Sequence, residues 1–145
     1  MTQQIFAEQE INEKYGDATI TTINLRQFSG TVKLNFSTMR YCSLEHVKIF
    51  IKDWIEQRSI ENKINLSITL SNVETTMYFS SYCDIVEEST VNVYGNIGRE
   101  NINVSDDEII KTLIELFTYL KNKTKQDNIT FNFQGHNKNV YIEIH

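Results

Sequence analysis

The side chains of this 145-residue chain best suited to nucleophilic or metal chemistry are Cys42, Cys83, His46, His136 and His145. Cys42 stands just before a helix start and His46 follows four residues later, so a helix would place both on one face. A thiol at a helix N-terminus has a lowered pKa, and a neighbouring imidazole can take its proton. Nucleophilic catalysis also needs a group that orients the imidazole and donors for a developing oxyanion, and no residue pattern supplies them. Cys42 and Cys83 have no second cysteine beside either, which removes the paired spacing of a zinc site. His136 falls in a turn and His145 is the final residue, so three histidines do not make a metal cluster.

Phosphate chemistry fares no better. The stretch Gly95-Asn96-Ile97-Gly98 lacks the third glycine, the lysine and the strand-to-helix setting of phosphate-binding loops, and reads as a hairpin turn. Asp106, Asp107 and Glu108 follow Ser105, and acids in a first helical turn suit the positive end of the helix dipole. Lys121, Lys123 and Lys125 gather at the opposite end of that helix, where cations suit the negative pole. The expectation is therefore a chain with no catalytic residue, no metal ligand and no cofactor, and not an enzyme.

The elements that carry these residues repeat. Thr21 to Phe36 alternates apolar Ile23 and Leu25, turns at Ser29-Gly30, and resumes at Val32, Leu34 and Phe36, which predicts a β-hairpin. The same figure returns 68 residues later with Val91, Val93, Gly98, Ile102 and Val104. A helix follows in each copy, opened by Ser43 and by Ser105. At an offset of 63, Val47, Phe50, Ile51 and Trp54 meet Ile110, Leu113, Ile114 and Phe117. That offset continues into a closing hairpin, matching Leu66, Ile68 and Leu70 with Ile129, Phe131 and Phe133, and Met77, Tyr78 and Phe79 with Val140, Tyr141 and Ile142. The pattern predicts an α+β fold: two tandem ββαββ units giving a mainly antiparallel sheet with two helices packed on it. One domain spans 1–145, with repeat one at about 18–80, an acidic junction at 81–89 and repeat two at about 90–145. Residues 1–17 form an unmatched arm.

Composition narrows the function classes. Fourteen basic against 19 acidic residues give a net charge of -5, which repels polyanions, and nucleic-acid binding is disfavoured. Alternation leaves Tyr78 and Tyr141 on the face opposite the core, where rings could stack on bases, but without the lysines and arginines that follow a phosphate backbone. No apolar run is long enough to cross a membrane, and the first residues lack a signal-peptide pattern, so the expected location is cytoplasmic.

Seven acids lie outside the repeats: Asp84, Glu87 and Glu88 in the junction, and Glu8, Glu10, Glu13 and Asp17 in the arm. Charge complementarity speeds encounter with a basic protein, and Tyr82, Ile85 and Val86 would supply the apolar centre that an interface needs. The sequence thus points to a partner-binding site at Tyr82, Asp84, Ile85, Glu87 and Glu88 on a small protein that neutralises a basic toxin or nuclease domain by occlusion, as immunity proteins and phage inhibitors do. Two other readings stand beside it: a sheet-based single-stranded nucleic-acid binder, and a small-ligand protein or enzyme using His46, Cys42 or tyrosines. The open edges of an antiparallel sheet also give a route to homodimers.

Overall fold

The computed structural model describes residues 11–34, 43–58, 64–71, 74–79 and 85–145, with backbone alone for 11–15, 21–22, 74–76, 78–79 and 85–88. Strands β1 (Ile11–Tyr15) and β2 (Ala18–Thr22) form a separate antiparallel pair, so part of the N-terminal arm is itself strand. The remaining order is β3 (Gln27–Lys33), α1 (Leu44–Arg58), β4 (Leu66–Leu70), β5 (Glu74–Phe79), β6 (Ile85–Ile97), a short 3-10 turn (Arg99–Asn101), α2 (Asp106–Lys123), β7 (Ile129–Gln134) and β8 (Asn139–Ile144). The fold is α+β: two helices against an antiparallel sheet, in an order that roughly follows ββαββ twice.

The sheet runs β4-β6-β3-β7-β8, with β5 paired to β6 beyond β4. Each half is a split βαβ unit. The chain leaves β3, crosses through α1, and returns as β4 parallel to it with β6 between them; β6, α2 and β7 repeat the move around β3. This interlocking makes the halves equivalent and fixes their true alignment. Gly30 pairs with Phe131 and Gly95 with Ile68, and Phe131 and Ile68 are the 63-residue match, so Gly30 corresponds to Gly95, not Gly98.

Several sequence expectations are corrected by this pairing. Ser29-Gly30 is no turn, since β3 runs straight through it, and residues after Gly98 form a 3-10 turn where a second strand was expected. The first closing hairpin does not close either, because β4 and β5 both pair with β6 and not with each other. Residues 85–89, read as a connector, belong to the long strand β6. Alternation located strand residues in β3, β4, β5 and the second half of β6 without revealing their partners, and it misplaced the strand boundaries at Ser29-Gly30, at 85–89 and after Gly98.

The core lies between the sheet and both helices in one cluster. Phe28, Gly30 and Val32 of β3, Val91 and Val93 of β6, and Ile129, Phe131 and Phe133 of β7 point inward. Against them α1 buries Val47, Ile51 and Trp54, while α2 buries Ile109, Leu113, Leu116, Phe117 and Leu120. The helices correspond at an offset of 62: Val47, Ile51 and Trp54 match Ile109, Leu113 and Leu116, and cap Ser43 matches cap Ser105. Ser43 Oγ accepts from His46 N at 3.4 Å and Ser105 Oγ from Glu108 N at 3.2 Å, each satisfying an otherwise free helical N–H. Across the helix pair Arg58 binds Glu115 and lies 4.9 Å over the Trp54 ring.

Just past the Thr124 cap of α2, Lys125 has a φ of 58°, the left-handed conformation in which Cβ crowds its own backbone. Lys125→Gly is therefore expected to stabilise the protein by about 1 kcal/mol. The measurement is a urea midpoint that rises with unchanged slope; a lower midpoint contradicts the strain argument. Among the described residues, no helix is long and apolar enough to cross a membrane.

Candidate functional site

The helices cover one face of the sheet and leave the other to two-residue alternation. Because Phe28, Phe131 and Phe133 point inward, their neighbours Gln27, Ser29, Asn132 and Gln134 must point out. Strand register arranges these side chains in rows of direct neighbours. One row reads Asn139, Gln134, Gln27, Asn96 and Ser67; the next reads Tyr141, Asn132, Ser29, Tyr94 and Thr69. A third joins Glu143, Thr130, Thr31 and Asn92, where Thr31 Oγ1 meets Asn92 Oδ1 at 3.2 Å. Tyr141 is 61% exposed and Tyr94 41%, and three strand spacings, about 14 Å, separate them. Between the two rings the row holds only the shorter Asn132 and Ser29.

A groove of about 450 Å3 opens on this face, lined by Gln27, Phe28, Ser29, Asn132, Phe133, Gln134, Asn139, Val140 and Tyr141. That volume is in the range of small-molecule sites. None of the lining residues carries a charge at neutral pH. Gln27, Asn132, Gln134 and Asn139 all line the groove, and among the described residues no hydrogen bond engages their side-chain amides.

At the end of the sheet where β3 begins, a charged cluster fixes the loop that bounds the groove. Arg26 and Asp106 are 3% and 6% exposed, and their side chains meet at 3.2 Å. Arg26 Nη1 also donates to Val104 O at 2.5 Å, and Nη2 to Asn101 O at 2.6 Å. Asp106 accepts three backbone N–H groups of the β7–β8 turn: His136 at 3.2 Å, Asn137 at 2.7 Å and Lys138 at 3.2 Å. Burial alone would push the Asp106 carboxyl up, but the Asn137 and His136 amides and the Arg26 guanidinium more than offset it, and the net direction is down. Burial pushes the Arg26 guanidinium down, against the opposing pull of Asp106. The His136 imidazole is pushed down by burial first and by the Arg26 charge second; its Nε2 lies 3.2 Å from Asn24 O. This cluster is structural: its polar atoms bond one another and tie α2, β3 and the β7–β8 turn together. At the turn's outer edge Lys138 pairs with Asp107.

Apart from Tyr141, the residues singled out in the sequence stand elsewhere in the fold where they are described. Tyr82 and Asp84 lie outside the described residues, as do Cys42 and Cys83. Ile85, Glu87 and Glu88 lie on β6, in register with Phe79, Met77 and Thr76 of β5. His46 sits in the first turn of α1 with Nδ1 2.8 Å from Ser43 Oγ, His136 is in the β7–β8 turn, and His145 is 3.8 Å from Glu143. Tyr141 does stand on the outward face, as alternation required. The outward amides were missed, although their signal was present: the outward positions of β3 and β7 hold Gln, Ser, Thr and Asn, with Lys33 at the end of β3 their one charge.

No protein-family model matches the chain, and neither does any curated protein sequence. Among solved structures, the fold is similar to that of an enzyme class. A phage SAM lyase in its apo state aligns with 19% identity over 82% of this chain and 87% of its own, at a TM-score of 0.58. A phage SAM lyase in complex with S-methyl-5′-thioadenosine aligns with 19% identity over 83% and 88%, at a TM-score of 0.59. These likenesses establish a shared fold. They overturn the sequence-based expectation of a protein-neutralising inhibitor of the immunity or antitoxin kind, and the expectation that the chain is not an enzyme. The physical reason is that those expectations rested on finding no nucleophile, base or metal cluster in the linear order, which carries no record of the groups that the fold brings together.

Proposed function

We propose that this protein is an enzyme that cleaves S-adenosylmethionine, with S-methyl-5′-thioadenosine as one product. The observation that carries the reading is the fold shared with phage SAM lyase across most of both chains, one of those structures holding S-methyl-5′-thioadenosine. That product keeps the methyl group, the sulfur and the 5′-adenosyl carbon, so the bond broken is sulfur to the γ-carbon of the amino-acid chain. The bonding pair stays on sulfur and neutralises the sulfonium. The γ-carbon is taken by the substrate's own carboxylate oxygen, giving homoserine lactone, with no water entering and no proton abstracted.

Such a reaction asks the protein for conformation and little else: folding the amino-acid chain so that carboxylate oxygen lies behind the γ-carbon. An uncharged groove suits it, because a carboxylate held against the sulfonium would stabilise the substrate more than a transition state in which that charge fades. A cytoplasmic location belongs to the same reading.

Incubation of the purified protein with S-adenosylmethionine, followed by mass spectrometry, is expected to show S-methyl-5′-thioadenosine and homoserine lactone in equal amounts above spontaneous decay. Homoserine in place of lactone at the earliest times contradicts the carboxylate route. No product above the background contradicts the enzyme reading itself.

A further inference from the structure

We propose that the groove on the open sheet face is an adenine-nucleoside subsite, in which Tyr141 is the stacking platform and the amides of Asn132 and Gln134 read the purine edge. The inference deepens the lyase reading above by placing the adenosyl group.

Four features of the face carry it. Tyr141 stands well exposed on edge strand β8, so one phenol face is open to a flat partner. Asn132 is directly opposite Tyr141 in register, and Gln134 is the next outward residue along β7, about 7 Å away. A purine lying against the ring therefore presents its edge to two adjacent amides. Those amides form no hydrogen bond with any described residue, whereas the neighbouring Thr31 and Asn92 are already paired to each other. Finally, the lining holds no cation for a phosphate and no carboxylate for an amine, which favours an uncharged nucleoside over a nucleotide.

The amides also define which base is preferred. A carboxamide is at once donor and acceptor, and adenine offers a matching pair, the N6 amino group and the N7 acceptor. Hypoxanthine offers two acceptors, O6 and N7, on the same edge, so one of its contacts to a single carboxamide is lost. Ser29 and Gln27, across the groove on β3, are within the same lining and suit the ribose hydroxyls.

Calorimetric titration with S-methyl-5′-thioadenosine, adenosine and inosine tests the assignment. Adenosine is expected to bind about tenfold more tightly than inosine. Tyr141→Ala should weaken S-methyl-5′-thioadenosine binding by about tenfold or more, Tyr141→Phe should largely keep it, and Gln134→Leu should erase the preference for adenosine. All three positions are on the exposed face, and circular dichroism with the unfolding midpoint verifies that each variant is folded. Equal binding of adenosine and inosine to the unaltered protein, no binding of either, or unchanged affinity in folded Tyr141→Ala overturns the subsite. Assaying S-adenosylmethionine cleavage on the same samples separates the two proposals. Cleavage that is indifferent to Tyr141→Ala removes the subsite and leaves the lyase; nucleoside binding that depends on Tyr141 without cleavage does the reverse.

Discussion

Asp106→Ala is expected to destabilise the protein by about 3–5 kcal/mol, among the largest effects of any single substitution here. The change strands Arg26, 3% exposed, without its counter-charge, and leaves the amides of His136, Asn137 and Lys138 without their acceptor. A buried pair need not add much over an apolar substitute; breaking it is what costs, because a charge then stays in a poorly solvated place. Arg26→Met with Asp106→Leu is accordingly expected to lose less than Asp106→Ala. Chemical unfolding measures both, and a loss below about 1 kcal/mol for Asp106→Ala would show that water reaches Arg26 freely.

The same cluster gives the stability a pH dependence with a definite sign. Burial and the Arg26 charge lower the His136 pKa on folding, so the unfolded chain takes up that proton first. Stability is full above an unfolded value near 6.5 and declines as pH falls from there towards the lower folded value. The Asp106 pKa is also lowered, so its contribution is present above an unfolded value of about 3.9 and is lost as pH falls through its folded value. Two acid steps are expected in the unfolding free energy. His136→Gln should abolish the upper one and spare the lower, and an unaltered upper step in that variant assigns it to another group.

Gly95→Ala is the second large effect, expected at about 3 kcal/mol or more. A β-carbon at Gly95 would lie 1.6 Å from the carbonyl oxygen of Ser67, and 3.2 Å from the Phe28 ring. The obstacle is backbone, so the strand pair β4·β6 itself has to separate. At the corresponding Gly30 the added carbon would meet the Phe117 ring at 2.3 Å and Phe131 Cβ at 2.9 Å. Phe117 and Phe131 are stacked there with centroids 4.5 Å apart and planes 11° from parallel, so a methyl group must displace one of them. Side chains yield more cheaply than backbone, and Gly30→Ala is expected to cost about 1–3 kcal/mol, less than Gly95→Ala. Thermal midpoints of the two variants rank them; the opposite order would mean that β4 can shift outward at little expense.

Much of this architecture was legible as pattern. Alternation assigned Val32, Val91, Val93, Phe131 and Phe133 to the core and Tyr141 to the outer face, because side chains on a strand have no choice but to alternate. Ser43 and Ser105 marked both helix starts, since a free helical N–H needs a nearby oxygen. The internal repeat, too, could be read from apolar spacing before any partner was known. Pairing could not. Gly30 and Gly98 were matched as turn glycines because a glycine in a polar break fits a turn equally well, and only the registers with Phe131 and Ile68 show that the true counterpart is Gly95, under packed neighbours.

What the sequence by itself determined was the local conformation of its elements and which side of each is apolar, properties set by neighbours within a few residues. Tertiary structure alone decided that Gln27 stands beside Gln134 and that Arg26 reaches Asp106, contacts spanning most of the chain. Those depend on which strands lie side by side, and alternating strands of equal length carry no record of their neighbours. The polar alternation of β3 and β7 is visible in the linear order, but the groove that gathers Gln27, Ser29, Asn132, Gln134, Asn139 and Tyr141 exists only when β3, β7 and β8 are laid next to one another.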